Sequence, residues 1–430
     1  MRGKRVWQRL LGLRDTVVEA VAFHEESQVV VVSVRPRQAL RHRCGRCGKR
    51  APLYDRGEGT RRWRCLDVGE LRCYLEAHSP RVSCPLHGPT VVGVPWARHG
   101  AGHTRAFDDQ VAWLASCTSK SAVTDLMRVA WRTVGSIVTR VIDDATALTD
   151  PLDGLVRIGI DEISYKRGHK YMTVIVDHDT RRLVWAYPGK DKAALRKFFC
   201  ALGPERSKRI TLVSGDAAPY IELSVFEHCP NAQFCTDPFH VVSWATRALD
   251  AVRRQAWSDA RRHKDPVRAK VVKGSRWALL KNPEALTDKQ RSCLELLEAI
   301  NHETFRAYLL KEQLRAVFKL RGPDAVSGLG AWIDAACASD VDVFVDLGYQ
   351  IRANRDGIEN ALKHGLSNGI VESVNTKIRL LLRVGFGFHS PQAVIALAML
   401  ALGGYRPPLP GRPRRPHANR RVRDPTLTHG

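Results

Sequence analysis

Between Val156 and Tyr187 the chain sets three short runs rich in Val, Ile and aromatic residues (156–164, 171–177 and 182–187) around the polar connectors KRGH and HDTR. Such runs bounded by turn residues predict a three-stranded antiparallel meander. The first run is apolar on both faces, as in a central strand covered on both sides. Asp161 interrupts it. An ionised carboxylate inside a covered strand is costly unless it is paired or binds a cation. A buried ion pair, or a strand end that reaches solvent early, accounts for it equally well at this level.

Downstream, KDKAALRKFFCAL (190–202) has a helical period, and RITLVSGD (209–216) reads as a strand that ends at Asp216. APYIELSVFEHC follows as a helix and NAQFCTD as a short strand finishing at Asp237. The order β-β-β-α-β-α-β puts carboxylates on the first strand and at the end of the fourth. That is the pattern of an RNase H-like core, in which those two strands are neighbours. Residues 238–350 are helical in pattern and densely basic, with a capping box at Thr287–Gln290 and an apolar stripe of Leu310, Leu314, Val317 and Phe318. Lys270, Lys273, Arg276 and Lys281 flank Trp277, for which a core position is favoured over a base-stacking platform. In LSNGIVESVNTKIRLLLRVGFGF (366–388), Asn368-Gly369 is a turn and Glu372 falls in the first turn of the next helix, where a Glu is common for dipole reasons alone. Its neighbours Asn375, Lys377 and Arg379 are polar. A last helix, SPQAVIALAMLALGG, precedes a Pro/Arg-rich tail.

Upstream, VVEAVAFHEESQVVVVSVRP reads as two strands joined at His24–Ser27. Cys44 and Cys47 form a C-x-x-C knuckle, and Cys84 and His87 repeat its spacing. Two such pairs, each followed by Gly, suit a closed tetrahedral zinc site. The interval between the pairs is long for a zinc ribbon, and Cys65 and Cys73 lie inside it and could replace a ligand. Unrelated free cysteines are the plain alternative. A redox C-x-x-C lacks its surrounding βαβ pattern. FDDQVAWLAS, KSAVTDLMRVA and TVGSIVTRVIDDAT predict three short amphipathic helices with turns near Cys117–Lys120 and Trp131–Arg132, which is the outline of a helix-turn-helix and also of many small helical bundles.

A chain of 430 residues holds several domains with real cores. Its net charge of +24 predicts a polyanionic partner, most simply nucleic acid bound through phosphates. The apolar run near the N-terminus is too short for a signal-peptide core, and Ser390 to Tyr405 is too short for a membrane span, so a cytoplasmic, nucleoid-associated protein with reduced thiols is expected.

The phrases WRCLD (63–67), PRVSCPLHG (80–88), VPWARHG (94–100), IGIDEISYKRGHKY (158–171), SGDAAPYI (214–221), DPFHVV (237–242) and SNGIVESVNTKI (367–378) together resemble the DDE insertion-sequence transposases of the ISL-three type, in the family's order and over about nine tenths of the chain. The resemblance implies a multidomain α/β protein: a zinc-binding domain over 1–100, a helix-turn-helix over 101–150, and an RNase H-like catalytic core over 151–242 and 351–405. An all-helical insertion fills 243–350, and a basic disordered tail closes the chain at 406–430. It implies a catalytic triad on Asp161, Asp216 and Glu372 holding Mg²⁺ or Mn²⁺, with Asp161 bridging two cations about 3.5–4 Å apart. Asp237 and His240 are implied as supporting groups, Glu162 and Asp177 as second choices, and a structural Zn²⁺ on Cys44, Cys47, Cys84 and His87. The implied partners are double-stranded DNA, at the element ends and the target, and further copies of the chain, as a homodimer or higher oligomer on DNA. Ser373 and Cys65 depart from the family's usual Gly and His. A catalytically silent DNA-binding derivative would need a lost carboxylate, and none is lost. An RNase H-like nuclease would leave the zinc finger and helix-turn-helix unexplained.

Overall fold

The structure is a computed structural model that describes residues 2–166, 168–386, 388 and 390–412. Residues 413–430 of the expected tail, and Arg167 in the expected KRGH connector, lie outside the described residues. The chain folds as two compact units, Met1–Asp150 with Leu381–Gly430, and Pro151–Leu380.

The first unit opens with α1 (Arg2–Leu10), β1 (Thr16–His24) and β2 (Val29–Pro36), followed by β3 (Leu53–Asp55), β4 (Thr60–Arg64), β5 (Arg72–His78), β6 (Arg81–Cys84) and β7 (Gly88–Val91). One sheet has the order β1-β2-β5-β4 and a smaller one the order β3-β6-β7. Alternation in β2 and β5 sends Val30, Val32 and Leu75 into a core closed by Trp63 and Trp96, whose rings meet edge-on at 5.5 Å. Helices α2 (Arg105–Ala115), α3 (Lys120–Met127) and α4 (Trp131–Thr146) follow, with Thr104 and Ser119 capping the first two. The turn before α4 lies slightly earlier than the sequence suggests. Arg128 takes the left-handed conformation (φ 51°), and Trp131 already starts the helix. Arg98 ties the helices together, its Nη2 meeting Asp109 at 2.7 Å and its Nε meeting Asp144 at 2.9 Å.

The second unit begins with β8 (Arg157–Lys166), β9 (Lys170–Asp177) and β10 (Arg182–Pro188), the expected antiparallel meander. Then come α5 (Lys192–Leu202), α6 (Pro204–Ser207), β11 (Leu212–Gly215), α7 (Pro219–His228) and β12 (Gln233–Thr236). The sheet order is β10-β9-β8-β11-β12, with β11 parallel to both β8 and β12. This is the RNase H-like arrangement, with β8 central. Ile158 and Ile160 of β8 pack with Leu195, Phe198 and Val225 of α5 and α7.

After β12 the chain is helical: α8 (Pro238–Arg262), α9 (Pro266–Gly274), α10 (Arg276–Leu280), α11 (Asp288–Ile300), α12 (His302–Val317), α13 (Gly322–Cys337), α14 (Asp342–Ala353) and α15 (Arg355–His364). Thr287 and Gln290 form the expected capping box on α11. Leu310, Leu314 and Val317 are buried in a shared core with Leu249, Leu329 and Phe344. Trp277 departs from its expected core position and is 68% exposed, because its neighbours Ala278 and Leu279 take the buried side of the one-turn α10.

Helix α16 (Gly369–Val384) carries Glu372, and α17 (Pro391–Leu402) follows. Residues up to Leu380 lie in the same compact unit as this sheet, and those from Leu381 in the other. Helix α17 is apolar nearly all round and needs cover, which it finds by packing on α4. Arg406, expected to open a disordered tail, lies 5.8 Å from the Trp113 ring centroid of α2 and donates to Cys117 Sγ at 3.6 Å.

Candidate active site and zinc centre

The parallel register of β8 and β11 pairs Gly159 with Ser214, so Asp216, just past the end of β11, stands near the level of Asp161. Helix α16 approaches this end of the sheet closely. A Cβ on Gly159 would lie 2.3 Å from Val371 Cγ2 and 2.9 Å from His178 Nε2, so only glycine allows the contact.

Behind it runs a buried polar chain. The Ser214 hydroxyl donates to the Asn368 side-chain oxygen and accepts from His178 Nε2 at 2.7 Å. Asn368 Nδ2 donates to the Ile160 carbonyl at 3.3 Å, and its backbone N–H donates to Asp237 Oδ1 at 3.1 Å. Asp237 Oδ2 meets His240 Nδ1 at 3.0 Å, and this bond raises the His240 pKa. Asp237 and His240 thus fasten the start of α16 beside the carboxylates. Asp177 is committed elsewhere: it accepts from the Asp179 and Thr180 amides and closes the β9–β10 turn.

Asp161 is half-buried, and among the described residues no Lys or Arg is within ion-pair distance of it. Its Oδ2 accepts from Asn375 Nδ2 at 2.8 Å and its Oδ1 from the Glu162 N–H at 2.7 Å. Burial pushes its pKa up to about 6, with the Asp216 and Asp237 charges adding against the Glu162 amide and His240. Burial likewise pushes Glu162 up to about 7, and Asp216 adds to it. Glu162 Oε1 is buried without a hydrogen-bond partner. Asp161, crowded by the Asp216 charge in this way, is suited to a divalent cation, which removes the repulsion.

Glu372 is exposed, one turn before Asn375 and on the same side of α16. The three carboxylates do not converge as tightly as the cysteine cluster does. Asn375, only 1% exposed, and the His178–Ser214–Asn368 chain are the site features that the sequence left unassigned. Asn375 stands three positions after Glu372, a helical spacing that could have flagged it.

Cys44, Cys47, Cys84 and His87 bring their ligand atoms within 4.8 Å of one another, the one such grouping among the described residues. A tetrahedral zinc with Zn–S of about 2.3 Å and Zn–N of about 2.0–2.1 Å needs ligand-to-ligand edges of about 3.8 Å for S···S and about 3.5 Å for S···N. Cys47 and Cys84 are 3.7 Å apart, and His87 Nδ1 lies 3.6 Å from Cys44 and 3.5 Å from Cys84. Burial opposes ionisation of Cys84, but the Leu86 and His87 amides and the His87 ring outweigh it and bring the thiol to about 6. Cys65 and Cys73 belong to the core around Trp63 instead.

Three family profiles match in register with these parts. The zinc-finger of transposase IS204/IS1001/IS1096/IS1165 matches residues 40–87, the helix-turn-helix domain of transposase family ISL3 matches 93–142, and the family's transposase domain matches 158–398. The chain is 54% identical over 440 residues to the transposase for insertion sequence element IS1557 of Mycobacterium tuberculosis, covering 97% of this chain and 99% of that one, in each of two strains. It is 26% identical over 396 residues to the transposase for IS1001 of Bordetella parapertussis, covering 91% and 96%. The chain belongs to transposase family ISL3.

In this ISL3 transposase the zinc-finger match ends at His87, and the helix-turn-helix match spans α2, α3 and most of α4. These modules make it a DNA-binding protein. Arg132, Ser136 and Thr139 form the exposed face of the first turns of α4. Among the described residues no helix is long and apolar enough to cross a membrane.

Proposed function

We propose that this ISL3 transposase cleaves DNA at the ends of its insertion sequence and joins the freed 3′ hydroxyl to target DNA, with Asp161, Asp216 and Glu372 as the catalytic carboxylates. The observation that carries the reading is the crowding of Asp161 by Asp216 beside the start of α16, with no Lys or Arg among the described residues within ion-pair distance of Asp161. Cleavage and joining are both in-line displacements at phosphorus. The three carboxylates would hold Mg²⁺ or Mn²⁺, which when bound would supply Lewis-acid stabilisation of the attacking and leaving oxygens. The chain's own part is positional. Asn375 and the Glu162 amide fix both oxygens of Asp161, and Asp237 with Asn368 anchors the helix that carries Glu372.

The helix-turn-helix reads the element ends, the Lys/Arg excess holds phosphates, and a structural zinc on Cys44, Cys47, Cys84 and His87 shapes the N-terminal domain. The protein works on the nucleoid in the cytoplasm as a dimer or higher oligomer on DNA. The test incubates the purified protein with DNA carrying its own element ends and Mg²⁺, and maps the products. Cuts at the element boundary followed by joined products support the reading. Cuts scattered without regard to the boundary indicate a nuclease, and binding without cuts indicates a silent derivative.

A further inference from the structure

Helices α9, α10 and α11 enclose a groove of about 840 Å³ that the catalytic reading does not use. Pro266, Val267, Val271 and Leu296 give it apolar walls, and Trp277 lies along it. Its volume is in the range of sites that enclose a small molecule, about 300–1,000 Å³.

The ring of Trp277 is displayed rather than stored. Ala278 and Leu279 are 2% and 1% exposed, and the buried Lys311 of α12 donates from Nζ to the Leu279 carbonyl at 2.8 Å. That bond and those two contacts fix the single turn of α10 so that position 277 faces outward. Arg276, which does not line the groove, lies over the Trp277 ring at 5.3 Å. Most of the indole is left in solvent, and Val267 and Leu296 beside it are exposed as well. Among the described residues the charged groups lining the groove are Lys270 and Lys289, and no Asp or Glu lines it. Lys273 and Arg276 add positive charge along the same segment.

An apolar slot with an exposed indole along it and only cationic charges in its lining is complementary to a flat nucleobase flanked by phosphates. A fully paired duplex keeps its base faces stacked and offers the groove none. We infer that this groove binds an unstacked base of opened or single-stranded DNA, stacked on Trp277, with Lys270 and Lys289 on the adjoining phosphates. The inference rests on the reading that the protein acts on DNA ends, where strands are opened, and it names the DNA form that the helical insertion selects.

The test measures the affinity of the full-length protein for a short fluorescein-labelled single strand, for the same strand in a perfect duplex, and for that duplex with a small unpaired bubble. Trp277→Ala should weaken single-strand and bubble binding by about 5- to 150-fold, the range for losing one base–aromatic stack, and leave duplex binding within about two-fold. Trp277→Phe should recover most of the loss. Leu296→Glu, which puts a carboxylate in the groove, should repeat the loss without touching the indole. Equal losses on single strand and duplex, or no loss at all, overturn the inference. So does a change in sedimentation of Trp277→Ala with single-strand affinity unchanged, which makes the groove a contact between copies. Retained boundary-specific cleavage in that case leaves the proposed function standing and removes only the groove.

Discussion

The side-chain amide of Asn375, on the second turn of α16, donates to Oδ2 of Asp161 on the central strand at 2.8 Å. The bond joins the helix that carries Glu372 to the strand that carries Asp161. It also holds the Asp161 carboxylate in one rotamer, with the Glu162 amide on its other oxygen. Supporting bonds of this kind typically matter 10- to 100-fold to a metal site.

Asn375→Ala should therefore slow strand cleavage by about 10- to 100-fold and raise the Mg²⁺ concentration needed for half-maximal rate. Asn375→Asp, which adds a like charge beside Asp161, should be worse in cleavage. DNA binding should persist in both. A purely structural role would lower the melting temperature without moving the Mg²⁺ dependence, and titration of rate against Mg²⁺ separates the two.

Asp161→Asn, Asp216→Asn and Glu372→Gln should each reduce cleavage and joining on the order of 10⁴-fold, and double variants should add little, because ligands of one site act as a unit. Glu162→Gln is the contrast. Strand alternation sends Glu162 to the face opposite Asp161, so the amide should keep substantial activity. Single-turnover cleavage of labelled element-end DNA reads all four. Near-wild-type cutting by Asp216→Asn sinks the triad.

Much of the fold was legible because it obeys local rules. The meander from 156 to 187 shows its Val-, Ile- and aromatic-rich runs and turn residues, and Thr287–Gln290 announces its helix. Asp161 stood out because a charge in a two-faced apolar strand needs a reason. What stayed hidden depends on tertiary contact. Helical spacing puts Asn375, and not the solvated Lys377, on the side of Glu372, but nothing local says that Asn375 is buried on Asp161. Trp277 was misjudged because aromatic residues usually fill cores, and only the burial of Ala278 and Leu279 turns it outward. The cover that α17 finds on α4 joins segments far apart in sequence, and no periodicity encodes that.

The zinc assignment makes a ligand-specific demand. A Cys84→Ser, His87→Ala double variant should lose its stoichiometric zinc and, because a structural zinc contributes folding energy directly, expose residues 40–100 to protease. Cys65→Ala and Cys73→Ala should keep the metal, because their thiols lie in the Trp63 core. Metal content of the full-length protein by atomic absorption decides it. Zinc retained in the double variant and lost on Cys65→Ala would reassign the site.

His103 gives the first unit a defined weakness to acid. Its ring stacks on Phe107 at 4.9 Å, and its buried Nδ1 has no hydrogen-bond partner among the described residues. Burial, with Arg140 and Arg64 nearby, pulls its pKa from 6.5 down to about 4. The folded ring therefore refuses a proton that the unfolded chain accepts between those values. Its contribution is complete above pH 6.5 and is lost as pH falls toward 4. Asp108, 3.8 Å away, is raised to about 6 by burial against the pull of Arg140 and Arg98, and acts in the opposite direction over part of that window. His103→Phe keeps the stacking and removes the titration. Its melting temperature relative to wild type should rise steadily as pH is lowered from about 6.5 to 4, while zinc loss and the Asp108 contribution largely cancel in the comparison. Calorimetry of both proteins across that range provides the measurement, and melting curves that stay parallel would mean that the ring takes up its proton in the fold.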